Sequence, residues 1–220
     1  MKKILIFLLI GITYNAFSQS IKEIDSISYK LCDYLKTLDY VNNDSIKLDM
    51  LYQNEYFPIL DKIEKSKVEK VGQQLYFRLQ RNCVEYRILL DNIEPPKEKD
   101  IRTNKKPETK ISSKDLQEFK NTGTFKYYEV NGDFTKVTMQ NGKWIDTFID
   151  STFSDLNYKW ISEYEFELTF NKSNNETRSN FSVKGDKFIY RVIDKKSDYY
   201  ILSVQIEDQY LYEIFRLYKD

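Results

Sequence analysis

The stretch Glu163-Tyr164-Glu165-Phe166-Glu167-Leu168-Thr169-Phe170 alternates aromatic or aliphatic residues with acidic or polar ones. That is the period-two signature of a strand with one face buried and the other in water. Tyr164, Phe166, Leu168 and Phe170 share the inward face; Glu163, Glu165, Glu167 and Thr169 share the outward one. Such a strand needs neighbours, and the surrounding sequence supplies them. Segments 124–130, 133–140 and 143–149 read as a meander with turns at Asn131-Gly132 and Asn141-Gly142. Asn-Gly suits a type I′ turn, in which both central residues need positive φ. Further strands are predicted at 156–162, 163–170, 177–184, 187–194, 199–207 and 210–217. Eight or nine sequential antiparallel strands in about 100 residues predict an up-and-down barrel or a strongly curled sheet over 121–220, because closure removes exposed edges.

Upstream the period becomes helical. Ile21, Ile24, Ile27, Leu31, Leu35 and Leu38 form one stripe on a first helix ending near Tyr40. Asn42-Asn43-Asp44 then interrupts, with Asp44 as the expected N-cap of a second helix through Ile46, Leu48, Leu51 and Tyr52. Pro58 forces a kink or a restart. Val68, Val71, Leu75, Leu79, Cys83, Tyr86, Leu90 and Ile93 predict a third helix of about seven turns, stopped by Pro95-Pro96. Residues 19–94 are thus a helical hairpin or three-helix unit, and the chain as a whole is α+β. Between the two parts, 95–120 mixes three prolines with many charges and almost nothing apolar, which reads as a solvated, mildly basic linker. A short capped turn is expected within it at Ser112-Ser113-Lys114-Asp115.

Residues 1–18 read as a signal peptide. Met1-Lys2-Lys3 is a basic start, 4–12 is an apolar run, and Ala16-Phe17-Ser18 places small residues at a cleavage site. Cleavage after Ser18 leaves Gln19 first and the protein periplasmic or secreted, with no membrane span. The rival reading, an uncleaved anchor, needs about 20 apolar residues. Export makes a disulfide the default for Cys32 and Cys83; two buried free thiols are the alternative. A loop of about 50 residues closed this way contributes about 4 kcal/mol in the chain-entropy model.

Lysine plus arginine equals aspartate plus glutamate, giving a formal net charge of zero, so no global field draws in nucleic acid. Histidine is absent, which closes Ser-His-Asp and Cys-His nucleophiles, imidazole proton shuttles and His-ligated metals. No catalytic motif and no cofactor are implied. The aromatic surplus points instead to a barrel interior that either is filled or encloses a ligand: Trp144, Phe148, Trp160, Tyr164, Phe166, Phe188 and Tyr190 are the candidate lining residues, with Tyr199 beside them. Asp146 and Asp150 share a face with Trp144 and Phe148, so either could enter such a space. The leading reading is a non-enzymatic binding protein for a small apolar ligand. The alternatives are a protein–protein interaction module of the cell envelope and a carboxylate-dependent hydrolase.

Gly123-Thr124-Phe125-Lys126-Tyr127, Trp144, Trp160-Ile161 and 164–169 together resemble small exported lipocalin-like β-barrel proteins of Gram-negative bacteria. The likeness covers the last 100 residues or so. It implies a barrel, and it carries over no residue with a chemical role.

Overall fold

The structure, a computed structural model, describes residues 20–95, 101–129 and 131–220. The expected signal peptide and its cleavage site lie outside the described residues. Among those residues no helix is long and apolar enough to cross a membrane.

Helix α1 (Ile21–Thr37) starts at a complete capping box. Ser20 Oγ accepts from the Glu23 N–H, and the Glu23 carboxylate accepts from the Ser20 N–H. Helix α2 (Asp44–Leu51) is capped one residue earlier than expected, by Asn43, whose side chain accepts from the Ile46 N–H. Asp44 instead binds Lys47 and Asn92. The segment does restart at Pro58, as a short separate helix. A π turn at Tyr52–Tyr56 leads into α3 (Phe57–Leu60), with the proline in the first turn, where a missing N–H costs least.

The expected seven-turn helix is in fact two, α4 (Val68–Asn82) and α5 (Val84–Ile93), divided at an extended Cys83 with φ −126° and ψ 107°. Val71, Leu75, Leu79, Cys83, Tyr86 and Leu89 all enter one core, so the apolar spacing runs through the break. Periodicity reports which face is buried, not whether the axis is continuous. Cys83 is bonded to Cys32 of α1, with their Cα atoms 5.5 Å apart, which decides for the disulfide over free thiols.

From Ile101 onward the expected linker is structured. Strand β1 (Ile101–Thr103) joins the sheet, and α6 (Ser113–Asn121), capped by Ser112 at the place where a turn was expected, buries Leu116 and Phe119. Few apolar residues suffice there because they enter an existing core rather than build their own. Composition counts what a segment contributes and is blind to what its neighbour offers.

The barrel comprises β2 (Thr124–Tyr128), β3 (Phe134–Gln140), β4 (Lys143–Thr147), β5 (Phe153–Trp160), β6 (Glu165–Ser173), β7 (Lys187–Lys195), β8 (Tyr199–Ile206) and β9 (Tyr212–Lys219). Each pairs antiparallel with the next, and β9 returns to β2, closing eight strands up and down. Strand β9 also takes β1 at Tyr212–Ile214, so it bonds to three strands. The turn between β3 and β4 has Asn141 and Gly142 at φ 52° and 72°, the left-handed values expected of Asn-Gly. The strand expected at 177–184 is instead helix α7 (Glu176–Phe181). Asn175 caps it through the Arg178 N–H, a local bond that a strand would forgo.

Strand β6 follows its alternation. Phe166, Leu168 and Phe170 are buried in the barrel core. Outside, Glu165 meets Lys106 and Arg191, and Glu167 meets Lys159 and Lys187. At one barrel end α6 acts as a plug: the Phe119 ring lies 5.2 Å from Phe125, 6.2 Å from Trp160, 6.0 Å from Phe166 and 5.0 Å from Tyr200. Lys195 reaches Asp115 and Glu118 of α6, and Lys219 reaches Glu118.

A buried arginine ties the helices to the barrel. Arg78 of α4, 2% exposed, donates to both Asp25 carboxylate oxygens of α1 at 2.6 and 3.0 Å. It also donates to Asp186, just before β7, at 2.6 Å and to the Phe181 carbonyl at the end of α7 at 2.8 Å. A guanidinium out of water needs this many acceptors, so these elements meet in one arrangement.

Candidate functional site

The barrel end opposite α6 is not filled. Between its strands and the overlying α4 and α5 lies a cavity of about 430 Å³, with α7 on one side and Arg102 of β1 on the other. This falls within the size range of small-molecule sites.

The wall is aromatic. Trp144 of β4 and Tyr190 of β7 stand with ring centroids 5.7 Å apart, and Phe215 of β9 meets Tyr190 and Tyr127 of β2 in T-shaped contacts. Phe188, Val204 and Ile206 continue the apolar surface. The Tyr127 and Tyr190 hydroxyls make no hydrogen bond to any described residue. Their pKa values are raised, first by burial and then by the charge of Asp146.

Asp146 lies two residues after Trp144, so the pleat of β4 turns both inward. One of its carboxylate oxygens accepts from the Trp144 indole N–H at 2.8 Å; the other has no bonded partner among the described residues. Burial lifts its pKa from the ordinary 3.8 to about 6, against the opposing pull of the Trp144 bond and of Arg178. Arg178 of α7 is engaged elsewhere, by Glu129 at 2.6 Å and by the Phe148 ring 5.3 Å beneath its guanidinium.

The roof carries two more arginines. Arg102 pairs with Glu213 of β9 at 3.1 Å and with Asp91 of α5. Arg87 of α5 donates to the side chain of Gln209, its Nε has no partner among the described residues, and burial pulls its pKa down to about 10 with Glu213 opposing.

Of the seven residues singled out from sequence, Trp144, Phe188 and Tyr190 line this cavity. Phe166 stands behind Trp144 and Tyr190, stacked on both at 5.9 and 5.2 Å, and is core. Trp160 belongs to the plugged end, under the Lys120 ammonium at 4.2 Å. Tyr164 precedes β6 and packs against the core from its margin. Phe148 lines a separate, more open depression with Asp150, whose carboxylate serves its own turn by accepting from Thr152. Tyr199 packs on Tyr218, beneath Arg216. Alternation alone does not separate these residues, because it fixes inside against outside and says nothing of height along the barrel axis. Asp146 was legible by its shared face with Trp144. The three arginines were not, since α4, α5, β1 and α7 reach the site only through tertiary packing.

Cys32, Cys83 and Glu85 bring potential ligand atoms within 4.8 Å of one another. The disulfide removes the two thiolates that a metal would require there. Comparison with protein-family models, with curated proteins and with solved structures gave no match.

Proposed function

We propose that this is a non-enzymatic binding protein that holds one small ligand with an apolar body at the barrel mouth. The supporting observation is the cavity itself: a concave, aromatic-walled space of about 430 Å³ with a few directed polar groups, set between two layers of a fold whose other end is filled. Binding without turnover suits its charges. Glu129 and Glu213 are each engaged by an arginine, which leaves Asp146 without a second free carboxylate for paired acid–base work. The disulfide fits a working place outside the reducing cytosol, and the signal peptide read over 1–18 supports a periplasmic or secreted mature chain. Kinship with small exported lipocalin-like barrels belongs to the same proposal, supported by the eight-strand closure.

The neutral fluorophore N-phenyl-1-naphthylamine tests the reading. Its emission should rise saturably at one equivalent of oxidised protein, and Val204→Trp, which places a ring in the cavity, should weaken binding on the order of tenfold or more. Binding that ignores Val204→Trp, or no binding at all, overturns the proposal.

A further inference from the structure

We propose, resting on the binding reading above, that the cavity selects an organic ammonium ion, its cationic nitrogen seated against Asp146 and faced by the rings of Trp144, Tyr127 and Tyr190. The pairing of charges leads there. Glu129 is taken by Arg178 at 2.6 Å, and Glu213 and Asp91 share Arg102. Asp146, 9% exposed, has only the neutral indole N–H of Trp144 bonded to it among the described residues. Counted together, Asp146, Glu129 and Arg178 carry one uncompensated negative charge, and it sits at Asp146. A carboxylate withdrawn from water without a counter-charge is costly, and a bound cation would supply what the protein withholds.

The surroundings favour a cation over any anion. Aromatic faces carry the negative part of the ring quadrupole and attract ammonium groups, most of all when water is excluded. The Tyr127 and Tyr190 hydroxyls, unbonded to the described residues, can accept from an N–H. The Trp144 N–H at the floor is already used by Asp146, and the tyrosine hydroxyls, which can donate as well as accept, carry no positive charge to hold an anion beside that carboxylate. Arg87, the cation of the roof without an ion-pair partner among the described residues, has Glu213 as its principal charged neighbour, so it leaves little positive field for an anion. Phe188 and Phe215 offer apolar surface to the rest of the ligand.

The groups facing Asp146 are Trp144 from β4, Tyr127 from β2 with Glu129 beyond it, Tyr190 from β7 and Arg178 from α7. Tyr127, Tyr190 and Arg178, all held above their ordinary pKa values, keep their charge states between pH 5 and 7.5, and Glu129 is paired with Arg178. Cation affinity should therefore fall as pH drops through about 6.

Competition against N-phenyl-1-naphthylamine decides the matter, with phenyltrimethylammonium, its uncharged carbon isostere tert-butylbenzene, and benzenesulfonate as probes. At pH 7.5 the cation should bind on the order of tenfold more tightly than the isostere, and the sulfonate more weakly than either. The preference should vanish in Asp146→Asn, which keeps an oxygen for Trp144, and in the unmodified protein at pH 5. Tyr190→Leu should reduce it in part. Equal affinity for cation and isostere, a preference that survives Asp146→Asn and pH 5, or tighter binding of the sulfonate overturns the inference. In each of those cases continued binding of N-phenyl-1-naphthylamine leaves the binding reading standing; if no probe binds, both fall.

Discussion

The two ends of this barrel are made by the same eight strands and finished in opposite ways. At one, α6 supplies Phe119, and the rings around it become core. At the other, α4 and α5 stand off, and rings of the same kind become the wall of a space with a carboxylate in it. Phe166 touches both sides, stacking on Phe119 in one direction and on Trp144 and Tyr190 in the other. Aromatic content thus does not distinguish structure from site. What a neighbouring element does, whether it inserts or merely covers, makes the distinction.

The largest test of that contrast is truncation. Phe119→Ala should destabilise by about 3–5 kcal/mol in denaturant titration, while Phe188→Ala on the cavity wall should lose only about 1–2 kcal/mol. A reversed order would break the comparison. Replacing both Cys32 and Cys83 by serine should lose about 2–4 kcal/mol. Its mark in amide exchange should concentrate in α1, α4 and α5, over the cavity, and spare α6. Equal loosening at both ends would show that the roof and the plug are not separately held.

Asp146→Asn should act in the other direction. The carboxyl ionises near 3.8 when unfolded and at about 6 when folded, so between those values the unfolded chain has given up a proton that the folded chain keeps. The stability this group allows is whole below pH 3.8 or so and is lost as pH rises through about 6. At pH 8 the asparagine variant should therefore be more stable by on the order of 2–3 kcal/mol, with the difference gone by about pH 4. Denaturation midpoints at the two pH values check this.

The smallest effect belongs to the rim of the plug. Hydrogen bonds from Lys195 lower the pKa values of Asp115 and Glu118. Lys195→Met should let both carboxyls titrate higher by NMR while barely moving the denaturation midpoint, because these groups are in water.

What could be read in the sequence follows from locality. Period-two patterning located the barrel strands, and Glu163–Phe170 sorted its own faces, because both are properties of adjacent residues. The disulfide was legible from two cysteines read together with the export signal expected over 1–18. Thr177 to Lys184 read as a strand because its alternation was visible while the cap at Asn175 was not weighed against it. The division at Cys83 was hidden because both helices bury the same stripe. The plug was hidden because Leu116 and Phe119 are only two residues in a charged segment, although Ser112 three residues before Asp115 and the i, i+3 spacing after it were signals enough for a short helix. The roof of the site, with Arg87, Arg102 and Arg178, is assembled from segments far apart in sequence, and no window of residues contains it.

Strand β9 fixes a timetable. Among the described residues it follows the other barrel strands and joins β2 to β8, with Phe125 opposite Lys219 across nearly the whole barrel sequence. Until those residues are synthesised the sheet is open, and β2 and β8 present bare flanks to any stray strand. The helical unit is complete once Ile93 has emerged, and its cysteines can pair before a barrel exists. A chain whose β9 has not yet paired holds a formed cap beside an unclosed sheet, and pairing of β9 with β2 and β8 ends that interval of risk.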